Sequence, residues 1–132
     1  MLKVLIDTSI IIDYLRQKDK SQTILFHLAS HKYQLYASII THTESYAGKS
    51  VWERRDAQIT LETLFSNIRI LTLGDNLSKK AGEISALNNT NIIDAIIAAT
   101  AIDHNLKLAT LNVIDFEKIQ GINLLKIKPS AC

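Results

Sequence analysis

Five residues carry side chains that could act together in chemistry: Asp7, Glu44, Asp94, Asn112 and Asp115. Asp94 is the most informative, because it lies within Ile92-Ile93-Asp94-Ala95-Ile96-Ile97-Ala98-Ala99-Thr100-Ala101-Ile102 and is expected to be at least partly buried there. An unpaired buried charge costs on the order of several kcal/mol, so this carboxylate needs a partner. One partner is Asn91 together with the positive end of a helix dipole. The other, which a carboxylate in such apolar company favours, is a divalent cation that holds the ionised form. Asp7, in Leu5-Ile6-Asp7-Thr8-Ser9, either caps the helix that follows or faces a crevice while Thr8 or Ser9 does the capping. Glu44 stands three residues after Thr41, which taken alone is the spacing of a capping box. In the company of Asp7 and Asp94 it becomes a ligand candidate.

These donors are all oxygen, a set that suits a hard cation such as Mg²⁺ or Mn²⁺ better than zinc. Of the histidines, only His27 and His31 stand at i, i+4; with no Glu beside His27 the pair reads as a solvent-facing or partner-facing helix stripe. The single cysteine, Cys132, allows neither a disulfide framework nor a thiolate metal cluster within one chain.

The elements that must position these acids follow from the apolar pattern. Leu2 to Ile6 reads as a strand running into a helix at Ile10 to Leu15, and a second helix is expected over Ser21 to Ser30. Gln34 to Ser38 reads as a strand, Thr41 to Ala47 as a helix, and Val51 to Phe65 as a longer helix beyond Gly48. A strand over Ile68 to Leu73 leads through Gly74-Asp75-Asn76 into a helix over Leu77 to Leu87. After Asn88-Asn89-Thr90-Asn91 come a helix over Ile92 to His104, a strand over Leu106 to Thr110, a short helix over Val113 to Ile119 and a last strand over Ile122 to Ile127. This alternation predicts an α/β fold, with a central, mostly parallel sheet of four to five strands flanked by helices on both faces. In such units strand C-termini and helix N-termini share one edge of the sheet, where ligands bind. Asp7, Glu44, Asp94, Asn112 and Asp115 all fall on that edge.

The chain of 132 residues fits one domain over 1–132, and its 47% apolar and 21% charged content is that of an ordinary globular protein. No run is long and apolar enough for a membrane span, and the N-terminus meets Asp7 too early for a signal peptide, so a cytoplasmic location is expected. The net charge of +2 and pI near 8.7 permit a polyanionic partner without demanding one.

Asp94-Ala95-Ile96-Ile97-Ala98-Ala99-Thr100-Ala101 followed by Leu108-Ala109-Thr110-Leu111-Asn112-Val113-Ile114-Asp115-Phe116 resembles the C-terminal signature of VapC-type PIN domains. Leu5-Ile6-Asp7-Thr8-Ser9 before an apolar helix, and an isolated Glu44, match the rest of that pattern, so the resemblance covers essentially the whole chain. It implies an endoribonuclease dependent on Mg²⁺ or Mn²⁺, the toxin of a toxin–antitoxin pair, with Asp7, Glu44 and Asp94 holding the metal. The family's fourth position is often Asp and in many members Asn; here it is Asn112, with Asp115 one short turn beyond to supply charge indirectly. Where relatives often carry Arg, this chain has Leu111. The implied reaction is in-line phosphodiester hydrolysis, with Glu44 or Asp115 orienting water and Thr8, Ser9 or Thr110 bonding a carboxylate or phosphate. Lys49, Arg54 and Arg55 are the first candidates for RNA backbone contact, then Arg16 and Lys18. The implied partners are RNA, a cognate antitoxin and a second copy in a homodimer, with Tyr14, Leu15, Phe26 and Leu28 available either to such an interface or to the core.

Two other readings compete. A phospho-acceptor receiver module also gathers acids at a sheet edge and often ends in Lys-Pro, as Lys128-Pro129 does, but no strand-ending Asp lies midway along the chain. A PIN-like domain that keeps the fold and a partner surface without activity is the second, raised by Asn112.

Overall fold

In the computed structural model, which describes residues 2–127, four strands form one parallel sheet in the order β3-β2-β1-β4. They are β1 (Lys3–Ile6), β2 (Gln34–Ser38), β3 (Arg69–Leu71) and β4 (Lys107–Ala109). The helices are α1 (Thr8–Arg16), α2 (Ile24–Ser30), α3 (Ile39–Tyr46), α4 (Lys49–Glu53), α5 (Arg55–Phe65), α6 (Asp75–Asn88), α7 (Ile92–Asp103) and α8 (Val113–Glu117).

Strands buried on both faces read as continuous apolar runs, and alternate residues of this sheet feed two separate cores. Val4, Ile6, Leu35 and Ala37 pack with Ile10, Leu25, Leu61 and Phe65 from α1, α2 and α5. Leu5, Tyr36 and Leu108 pack on the opposite face with Ile97, Ala98, Ala101 and Phe116 from α7 and α8. Helices on both faces are therefore present, as expected. Along α7, Ala95 and Ala99 meet Leu77 and Ala81 of α6, small residues that let the two helices approach closely. No helix among the described residues is long and apolar enough to cross a membrane.

Helix α3 departs from this layering. Ile40 at its start packs with the α7 face of the sheet, whereas Tyr46 at its end packs with the α1 face. The helix thus crosses the sheet's C-terminal edge.

Several expected boundaries shift. The expected helix over Ser21 to Ser30 divides into a 3-10 turn at Lys20–Gln22 and α2, because Thr23 stops the turn and caps α2 by accepting from Phe26 N–H. The expected helix Val51 to Phe65 breaks at Arg54, whose extended backbone (φ −129°, ψ 121°) separates α4 from α5. The last strand, expected over Ile122 to Ile127, contracts to a single parallel bridge between Leu124 and Leu108, where Leu108 N–H donates to Asn123 and Leu125 N–H donates to Leu108. Pro129 and Cys132 lie outside the described residues.

Candidate active site

Asp7 follows β1 at the sheet edge and is almost wholly buried, at 2% exposure. It occupies the cap position of α1, yet its side chain makes no cap bond, and neither Thr8 nor Ser9 takes over that duty. Instead Asp7 Oδ2 accepts from Ser9 Oγ at 2.8 Å and from Thr110 Oγ1 at 2.7 Å. The two hydroxyls are themselves held from the β4 side: Leu111 N–H donates to Ser9 Oγ at 3.0 Å, and Asn112 N–H to Thr110 Oγ1 at 2.9 Å. A bracket of neutral donors thus ties the end of β1 to the loop after β4.

Glu44 is not a capping-box residue. Helix α3 starts earlier than expected, at Ile39, with Ser38 as its cap accepting from Ile40 N–H. That leaves Thr41 inside the helix and Glu44 in its second half, free to reach α1, where Thr8 Oγ1 donates to Glu44 Oε1 at 2.6 Å. Thr8 Oγ1 also lies 3.1 Å from the buried Thr41 hydroxyl, a residue the sequence reading passed over as a cap. The signal was its spacing: i, i+3 places Thr41 and Glu44 on one helix face.

Asp94 sits in the first turn of α7, where Asn91 caps by accepting from Asp94 N–H at 2.9 Å and donates Nδ2 to Asp94 Oδ2 at 2.9 Å. The Asn91 partnership is therefore real. It does not neutralise the charge. Burial pushes the Asp94 carboxyl up from its ordinary pKa; the Asn91 hydrogen bond opposes this, and the negative charges of Asp7, Asp115 and Glu44 raise it further. The negative charges of Asp7 at the end of β1, Glu44 on α3 and Asp115 on α8 thus all bear on Asp94.

Asp7, Glu44 and Asp94 share a pattern. Each has one carboxylate oxygen bound by a neutral donor, while among the described residues no hydrogen bond reaches the other oxygen. Among the described residues no lysine or arginine is paired with any of them; the two ion pairs there, Arg54–Asp56 and Lys80–Asp103, lie elsewhere. Among the described residues, no three acidic, His or Cys side chains stand close enough together to enclose a metal ion as they are placed. An open, all-oxygen, uncompensated anionic site fits a hard cation that keeps part of its water shell, as Mg²⁺ does. Asn112 and Asp115 flank the crevice at the start of α8; Asn112 makes no side-chain cap bond, and Asp115 is exposed.

The basic residues separate by position. Arg16 and Lys18 lie at the far end of α1, about 13 Å or more from Asp7 at the helical rise per residue, so they leave the site edge. Lys49, Arg54 and Arg55 cluster at the α4–α5 junction, beyond the end of α3. Arg54 pairs with Asp56 at 2.7 Å and Arg55 NH1 reaches Gln58 at 3.3 Å, both in the open. Of the interface candidates, Leu28 is core and Leu15 packs against it, whereas Tyr14 and the half-exposed Phe26 line a surface groove with Ile59 and Leu64.

The sequence and the parallel fold have counterparts. The family model for the PIN domain matches residues 4–122, from β1 to just past α8. The chain belongs to the PIN domain family. This PIN domain is 35% identical to ribonuclease VapC1 of Rickettsia felis, over 94% of the chain and 96% of the relative. Its fold is that of a chain in a toxin–antitoxin complex from Klebsiella pneumoniae, at TM-score 0.74 and 26% identity, covering 94% of this chain and 99% of the other. It also matches a chain of the DNA-bound VapBC of Salmonella typhimurium at TM-score 0.79 and 23% identity, over 95% and 98%. Its family, sequence relatives and fold thus agree with the VapC-type resemblance read from the sequence.

Proposed function

We propose that this PIN domain, acting as a single domain over residues 1–132, is a metal-dependent endoribonuclease and the toxin of a type II toxin–antitoxin pair. The observation that carries the reading is the negative charge that Asp7, Glu44 and Asp115 place on the partly buried Asp94 at one sheet edge, with no ion pair to any of the four among the described residues. The ribonuclease name of its R. felis relative supports the substrate class.

Asp7, Glu44 and Asp94 would hold Mg²⁺ or Mn²⁺ through their unengaged oxygens. When bound there, such a cation supplies Lewis acidity toward a phosphodiester and toward water. The protein's own work is positioning. Ser9 and Thr110 fix the Asp7 carboxylate, Thr8 fixes Glu44, and Asn91 fixes Asp94, so that each charge is held at the sheet's C-terminal edge before substrate arrives. Glu44 or Asp115 orients the attacking water and receives its proton, while Asn112 offers a neutral amide at the rim. Lys49 and Arg55 carry backbone phosphate contacts; Arg54 contributes only by exchanging Asp56 for phosphate.

The cognate antitoxin is the protein partner, and the groove of Tyr14, Phe26, Ile59 and Leu64 offers it an apolar seat away from the acids. The active form is a cytoplasmic homodimer.

The test is cleavage of pooled cellular RNA by the antitoxin-free protein in Mg²⁺ or Mn²⁺, in EDTA, and with Asp94→Asn beside wild type. Cutting that needs the metal and disappears in the variant is the expected result. No cutting by a folded protein that binds metal would replace this reading with a PIN-like domain that works by binding alone.

A further inference from the structure

The only tryptophan of the chain, Trp52, is 65% exposed, although it stands one helix beyond Glu44. Its indole does not float. Nε1–H donates to the Tyr46 carbonyl at 2.7 Å, which pins one edge of the ring to the end of α3. The Tyr46 ring lies beneath it, with centroids 6.0 Å apart, and in turn stacks on buried Phe65 at 6.2 Å and 28°. His42 braces the column, packing against both Tyr46 and Phe65. An aromatic column rooted in the core therefore ends in a fixed, solvent-facing indole.

Core packing does not require this exposure, since the buried part of the column is complete at Tyr46 and Phe65. Close to Trp52 along the chain stand three cations, Lys49 one turn before it and Arg54 and Arg55 just after, together with the acids Glu53 and Asp56, the latter paired with Arg54. Its attachment point, Tyr46, is two residues along α3 from Glu44, whose carboxylate is bonded to Thr8 beside Asp7. A rigid π-face set among cations and joined to the acidic crevice by one helix has the parts of a single-stranded nucleic-acid platform, where bases stack on aromatics and cations track phosphates.

We propose that Trp52 is a substrate-positioning residue that stacks a base of single-stranded RNA, holding a nucleotide that flanks the bond to be cut. The proposal rests on the nuclease reading above and narrows its substrate to RNA with at least one unpaired base beside the cleavage site. A protein surface would instead pair the indole with further apolar neighbours, and Trp52 lines neither the apolar groove between α2 and α5 nor the one beside Leu111 and Leu124.

Because no other tryptophan interferes, emission at Trp52 reports stacking directly. Asp94→Asn protein is titrated with a single-stranded RNA oligomer of about ten nucleotides, and with an abasic oligomer of the same length. Quenching by the first and little by the second is expected. With otherwise wild-type protein in Mg²⁺, Trp52→Ala raises KM for cleavage of that oligomer roughly tenfold with kcat little changed, and Trp52→Phe keeps most of the affinity. Absence of quenching while wild type cuts the same oligomer overturns the platform and leaves the nuclease standing. An emission maximum that shifts with protein concentration alone also overturns it, by giving Trp52 to a second copy of the chain. Neither quenching nor cutting of any RNA removes the nuclease reading and the platform with it.

Discussion

Neutral donors hold the acids of this site, and that choice has energetic consequences for each residue. Asp94 has its carboxyl pKa raised, by burial first and by the neighbouring acids after it, against the pull of Asn91. A folded-state pKa above the unfolded one means that the folded protein binds this proton more tightly, so the stabilisation is full below the ordinary carboxylate pKa and is lost as pH rises through the folded value. At neutral pH the metal-free fold carries the whole cost. Asp94→Asn should therefore raise the urea midpoint of the metal-free protein at pH 7, and the gain should vanish on acidification below about pH 4; an equal gain at both pH values would show that charge is not the cause. Asp7 gives the opposite experiment. Thr110→Val removes one of its two side-chain donors and the acceptor of Asn112 N–H together, and should lower stability by about 1–3 kcal/mol in denaturant unfolding.

At the scale of elements, α3 decides whether Glu44 joins the site. Its cap is Ser38, buried at the end of β2, so one residue closes the strand and opens the helix. Ser38→Ala should cost about 1 kcal/mol, and Ser38→Thr should restore most of it, as read by thermal unfolding. The sequence made β1, β2 and α7 legible, because strands covered on both faces and a helix buried almost all round leave uninterrupted apolar runs. It also placed the acids on the correct edge, since parallel topology alone puts strand ends and helix starts together. What it could not show were features fixed by distant partners. The start of α3 was hidden because Ser38 completes an apolar strand pattern, and the Arg54 break because neither Gly nor Pro marks it. The last strand contracted because only Leu124 meets β4, although its composition suits a full strand. Thr8 to Glu44 and Thr110 to Asp7 span 36 and 103 residues, and no local pattern encodes such pairs.

For the whole molecule, the proposed cation would couple to folding, because the acids that would hold it come together only in the folded chain. A ligand that binds only the folded state stabilises it by mass action. Millimolar Mn²⁺ or Mg²⁺ should therefore raise the melting temperature, EDTA should reverse the gain, and the Asp7→Asn, Asp94→Asn double variant should show no response; an equal rise in that variant would place the cation elsewhere. The bracket that steadies Asp7 has one more consequence, for the order in which the chain is made. Thr110, a donor to Asp7, leaves the ribosome 103 residues after it, with Asp94 only shortly before Thr110. A growing polypeptide therefore cannot assemble this edge until α7 and β4 have been made, and a product that stops before β4 lacks the Thr110 half of the bracket around Asp7.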